Sequence, residues 1–147
     1  MIRRHAVIFA VVLVGTSLSR AASAQSAQPA DSPARADSLA PGRLFTRWLF
    51  EQKGDSIFAR MSAKAKGQFG SAERIKSVAG QLIGAAGSEA KVVSEEVVVR
   101  PDGARWYLRA GEYSTAAAKF TVMWAVTPTD EIAAFGVAPS GRPIKLP

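Results

Sequence analysis

Residues 92–113 read VVSEEVVVRPDGARWYLRAGEY, and the reading of this stretch decides the fold. Val92–Arg100 and Ala104–Tyr113 are rich in β-branched and aromatic residues, and Pro101-Asp102-Gly103 separates them. A Pro-Asp-Gly link favours a three-residue hairpin loop with Gly103 in the left-handed region, flanked by Arg100 and Ala104. That loop sets a register. Val99 faces Arg105, Val97 faces Tyr107 and Glu95 faces Arg109 on one side of the ribbon. Val98 faces Trp106 and Glu96 faces Leu108 on the other. The side with Trp106, Leu108 and Ala110 is expected to floor the core. The side with Glu95, Tyr107 and Arg109 is expected to meet solvent or a partner.

Downstream, Lys119–Thr127 and Glu131–Ala138 read as two more strands. The connections Ser114–Ala118 and Pro128-Thr129-Asp130 are short, so neighbours run antiparallel in a meander. The same turn logic pairs Trp124 with Ala134 and Met123 with Phe135. Upstream the pattern is helical. Asp37 or Ser38 caps a helix whose Leu44, Phe45, Trp48 and Leu49 share a face, with Pro41 near its start and Gly54 as its left-handed end. Asp55 opens a short helix with Ile57, Phe58 and Met61 inward, and Ser62 caps one further turn to Gly67. Ser71 caps a third helix, on which Ile75, Val78, Ala79, Leu82 and Ile83 follow helical spacing, with Gly84 and Gly87 ending it. Three helices packed on a curved four-stranded meander make an α+β domain over residues 38–138.

The flanks read differently. Arg3 and Arg4, the apolar run Ala6–Val14 and the small-residue site Ala22-Ser23-Ala24 form a secretory signal peptide over residues 1–24. The apolar run is too short to span a bilayer, so no stable membrane anchor is expected after cleavage, and the chain is expected in the periplasm or outside the cell. Residues 25–37 are Ala-, Ser- and Pro-rich and read as a flexible linker. Residues 139–147, with three prolines, read as an extended tail.

Composition excludes several chemistries. The chain has one histidine, His5, which leaves with the signal, and no cysteine. The exported chain then lacks the residues for a Ser-His-Asp or Cys-His triad, a His/Cys zinc site or a disulfide. No cofactor or metal is expected. Without residues 1–24 there are sixteen Lys and Arg against twelve Asp and Glu, a net +4. The basic residues are scattered and not interleaved with aromatics, so nucleic-acid binding is not expected. Ser88-Glu89-Ala90-Lys91 matches an S-x-x-K string but lacks the partner strings of that chemistry, and reads as chance. Gly80-Gln81-Leu82-Ile83-Gly84 reads as close packing and capping.

Phe45-Thr46-Arg47-Trp48-Leu49-Phe50 with Gly54-Asp55, then Ser94-Glu95-Glu96-Val97, Trp106-Tyr107-Leu108-Arg109-Ala110 and Val122-Met123-Trp124-Ala125-Val126 resemble a family. It is a secreted bacterial domain of unknown function with a nuclear transport factor 2-like (cystatin-like) cone fold. The resemblance covers about residues 38–138 and implies a cone, in a family often found beside serine hydrolase or β-lactamase-like domains. The chain ends at Pro147, with no attached hydrolase domain expected. Asp130 stands where the family's turn glycine is expected, and Asp tolerates a left-handed backbone.

Glu95, Arg105, Tyr107 and Arg109 are the expected ligand or partner surface, for a small-molecule or anionic ligand or a homodimer through the sheet face. Trp48, Glu96, Trp106, Tyr113 and Trp124 are the expected cone-lining residues. Glu95 and Arg109 read as a cross-strand ion pair, and no catalytic residue is assigned. The expected function is an exported non-catalytic binding or interaction module. The alternatives are a small-molecule isomerase, dehydratase or hydrolase using a lone carboxylate (Glu95, Glu96 or Glu112), or an accessory regulator of a separate serine hydrolase.

Overall fold

The computed structural model describes residues 33–115 and 119–140, with side chains from Ser38 onward. The expected signal peptide and the tail beyond Ser140 lie outside the described residues. Helices α1 (Pro33–Phe50), α2 (Gly54–Arg60), α3 (Ala63–Phe69) and α4 (Ala72–Ala86) precede strands β1 (Glu89–Val99), β2 (Arg105–Tyr113), β3 (Phe120–Val126) and β4 (Ile132–Pro139). The strands form one antiparallel sheet in the order β1-β2-β3-β4. The class is α+β, with four described helices where three were expected. The segment after Ser62 is a helix in its own right, because the Ser62 hydroxyl accepts from the Ala65 N–H and Gly70 takes φ 82° at the other end.

α1 begins at Pro33, inside the stretch read as linker, so Pro41 lies within the helix rather than near its start. Gly54 does not cap it. Gln52 takes the left-handed conformation at φ 55°, and Gly54 opens α2 instead. Gly54 is buried where a Cβ would fall 2.5 Å from the Ala72 carbonyl oxygen, so close approach to α4 is its role. Ser71 caps α4 by accepting from the Arg74 N–H, and Gly87 ends it at φ 80°.

The β1–β2 register is the one the loop implies: Glu95 opposite Arg109, Val97 opposite Tyr107, Val98 opposite Trp106. Gly103 has φ 80°, and the Arg100 N–H donates to the Ala104 carbonyl over 2.8 Å. The β3–β4 pairing starts as expected, with Val126 opposite Ile132, and Asp130 carries φ 61° in the turn. A bulge then shifts it by one residue, so Trp124 faces Phe135 and Met123 faces Gly136, not Ala134 and Phe135. Ala133 is the extra residue.

The face assignment is reversed. The helices cover the side of the sheet that carries Tyr107, Val122, Trp124, Val126 and Ile132, which join Leu39, Phe45, Leu49, Ile57, Met61, Ala65, Ile75 and Ala79 in one buried cluster. Trp106 and Leu108 lie on the opposite side and are also little exposed, at 8% and 7%. Each large side chain fully buried in the cluster contributes about 1.5–3 kcal/mol of burial free energy. One buried polar contact fixes α1 on the sheet: Trp124 Nε1 donates to Thr46 Oγ1 over 2.9 Å. Between α2 and α3, Met61 is extended and bridges Ile132, and the Ser62 N–H donates to the Ile132 carbonyl, covering part of the β4 edge. No described helix is long and apolar enough to cross a membrane.

Candidate functional site

The site grows from a gap in α1. Pro41-Gly42 lies above β2, and a Cβ on Gly42 would sit 2.0 Å from Tyr107 Cγ. The absent side chain lets the ring lie against the helix backbone, where Tyr107 is 2% exposed. Its hydroxyl donates to Glu95 Oε1. Arg43, next to Gly42, reaches the same carboxylate, with Nη2 donating to Oε2 over 2.6 Å and Nε over 3.0 Å. Arg109 extends the chain of contacts. Its Nη1 donates to Glu95 Oε1 over 2.6 Å, while Nε and Nη2 grip Glu89 in a fork at 2.9 and 2.6 Å.

Burial alone would raise the pKa of Glu95. Hydrogen bonds from Arg43, Tyr107 and Arg109 outweigh it and bring the group down to about 2. Burial and the neighbouring Glu95 carboxylate push the Tyr107 phenol well above its usual range. Burial opposes the charge on Arg109, but its bonds to Glu89 and Tyr107 and their charges raise its pKa further. Glu95 is a fixed anion and Tyr107 a fixed neutral donor through the physiological range.

Beside this network a cleft of about 530 Å³ opens between α1, the end of α4 and the sheet. Arg43, Arg47 and Phe50, spaced along one stripe of α1, form one wall. Ile83, Ser88, Glu89 and Arg109 form the other. Arg43 and Arg109 are committed to carboxylates. Arg47 is exposed and has no ion pair among the described residues. Near Glu89, Tyr113 is 5% exposed and its ring packs on Phe50 at 5.8 Å. Its hydroxyl finds no hydrogen-bond partner among the described residues, and burial, with the charge of Glu89, pushes its pKa up to about 12.

Of the residues singled out in sequence, Glu95, Tyr107 and Arg109 come together, beneath α1 rather than outward. Arg105 is separate, ion-paired with Asp130 at the turn end of the sheet. Trp124 is in the core, and Trp48 packs half-buried against the same cluster, with its ring 5.9 Å from that of Phe45. Glu96 and Trp106 are on the opposite face and line nothing in this cleft. Glu112, also pointing that way, pairs with Lys119 at 2.9 Å. Sequence reasoning missed Arg43, Arg47 and Glu89. Arg43 is 52 positions from Glu95, and only its place beside a glycine on an apolar helix face could have flagged it. Among the described residues no group of three or more acidic side chains is placed to hold a metal ion. No family model, curated protein or solved structure matches the chain.

Proposed function

We propose that this chain is an exported, non-catalytic binding module of the nuclear transport factor 2-like cone type, which holds a small ligand in the cleft between α1 and the β1–β2 side of the sheet. The state of the acids at that cleft carries the reading. A general base works best with a pKa near the working pH. Glu95, brought down to about 2 and held by three donors, is a weak proton acceptor. Glu89, the carboxylate in the cleft wall, is clamped by the Arg109 fork. What remains is a rigid polar floor beside apolar Phe50 and Ile83, in a volume of small-molecule size. Preorganised walls of this kind lower the entropic cost of binding. The export part of the reading rests on residues 1–24. A homodimer through the sheet would use the face opposite the helices, where Trp106 and Leu108 lie.

The test is a fragment screen read by backbone amide shifts of the whole chain. Hits are expected to move the amides of Ile83, Ser88 and Glu89, and to be recovered unchanged after prolonged incubation. Conversion of a hit that disappears in Glu95→Gln or Glu89→Gln would establish a lone-carboxylate enzyme instead.

A further inference from the structure

Building on the cleft as a binding site, we infer that it selects an amphipathic monoanion: a carboxylate on a short apolar body, with its charge against Arg47 and its body between Phe50 and Ile83. Three independent features point the same way.

The first is charge. Among the described residues, three guanidiniums and two carboxylates meet at the cleft and its floor. Arg43 and Arg109 reach Glu95 and Glu89, which leaves Arg47 with no ion pair among the described residues; the carboxylate its charge acts on, Glu51, is itself paired with Lys53. One surplus positive charge suits one negative charge, and a guanidinium fork is shaped for a carboxylate.

The second is the donor and acceptor count. Arg47 offers donors at the wall, while the Ser88 hydroxyl already donates to Ser114 Oγ over 3.4 Å. Both wall and floor carboxylates already accept from arginines. A cationic ligand would have to break those bonds, whereas an anion finds donors in place.

The third is surface character and size. Phe50 and Ile83, with the alkyl stems of the arginines, make most of the wall apolar. A small anion without an apolar body would leave that surface wet, so phosphate or acetate alone wins little there.

Titration of the whole chain with octanoate, octanamide, acetate and inorganic phosphate, followed by amide shifts at Ile83 and Ser88, tests this. Octanoate should bind more tightly than octanamide by about tenfold or more, with acetate and phosphate weaker still. Arg47→Ala should remove the octanoate advantage without changing octanamide binding, and Arg47→Lys should restore part of it. Equal binding of octanoate and octanamide at the cleft would overturn the anion preference and leave the binding module standing. Preference for phosphate would overturn the amphipathic part. If none of the four probes moves the cleft amides, both readings fall.

Discussion

Gly42 and Tyr107 are in direct contact across the helix–sheet interface: a Cβ on Gly42 would fall 2.0 Å from Tyr107 Cγ and 2.4 Å from both ring Cδ atoms. The missing side chain therefore lets the helix backbone lie against the ring, and the hydroxyl end of that ring is held where it meets Glu95. Alanine is normally the better helix residue than glycine by about 1 kcal/mol. At Gly42 the sign should reverse. Gly42→Ala forces the ring or the helix to move and should cost about 1–3 kcal/mol. Gly84 supplies the control, since it lies in α4 and a Cβ there meets nothing within 4 Å. Gly84→Ala should stabilise by about 0.5–1 kcal/mol. Urea unfolding of the two variants checks the pair, and equal effects would show that the Gly42 contact is unimportant.

The acid limb of stability should belong largely to Glu95. Its pKa falls from an ordinary 4.5 to about 2 in the folded chain. A depressed carboxylate stabilises the fold above its unfolded pKa and loses that contribution as pH drops through the folded one. The stabilisation is therefore complete above about pH 5 and fades toward pH 2, and is worth on the order of 3 kcal/mol. Glu95→Gln should lose about 2–3 kcal/mol at neutral pH, and between pH 5 and pH 2 it should lose less stability than the parent chain by about that amount. The two unfolding curves should converge near pH 2. The exposed carboxylates Glu51, Asp55 and Glu112 are also lowered, by their lysine partners, and provide the common background in both proteins.

How far the sequence could be read follows from what each residue encodes locally. The Pro101-Asp102-Gly103 turn dictates its own geometry, so the hairpin register from Glu95–Arg109 to Val99–Arg105 was legible. Period-two alternation separates Tyr107 from Trp106 but does not say which side meets the helices. Both sides of the hairpin are partly apolar, and tryptophan looked the better core residue. The deciding signal was Gly42, the one opening in α1 that admits a ring. The slip at Ala133 was not legible, because Ala133, Ala134 and Gly136 are too small to fix a register by packing. Arg43 and Glu89 join the Glu95 network only through tertiary contact, across 52 positions for Arg43 and 20 from Glu89 to Arg109.

The Thr46–Trp124 bond should be worth more than a surface hydrogen bond. Both residues are buried, at 2% and 0% exposure, and the indole N–H has its acceptor at 2.9 Å. Thr46→Val keeps the shape and strands the donor, which should cost about 1–3 kcal/mol. Thr46→Ser keeps the acceptor and should recover most of the hydrogen-bond term. Tryptophan emission through the unfolding transition reads both variants, and equal stability of Val and Ser would show that the bond contributes nothing.

The two tyrosines make opposite predictions from the same chemistry. Tyr107 and Tyr113 are the chain's only tyrosines, and both are buried. The Tyr107 hydroxyl is bonded to Glu95, so Tyr107→Phe should cost about 1–3 kcal/mol by taking a donor from a partly buried carboxylate. The Tyr113 hydroxyl has no partner among the described residues, so Tyr113→Phe should be neutral or stabilise by up to about 1 kcal/mol. Alkaline titration followed by phenolate absorbance gives an independent reading. Tyr113 is pushed up to about 12 by burial and Tyr107 further still, so the folded chain should show no phenolate rise near pH 10. The Tyr107→Phe variant, if it folds, should show one transition near pH 12. The Tyr113→Phe variant should stay unionised until the fold is lost. A normal phenol titration in either variant while still folded would remove the corresponding hydroxyl from the buried site.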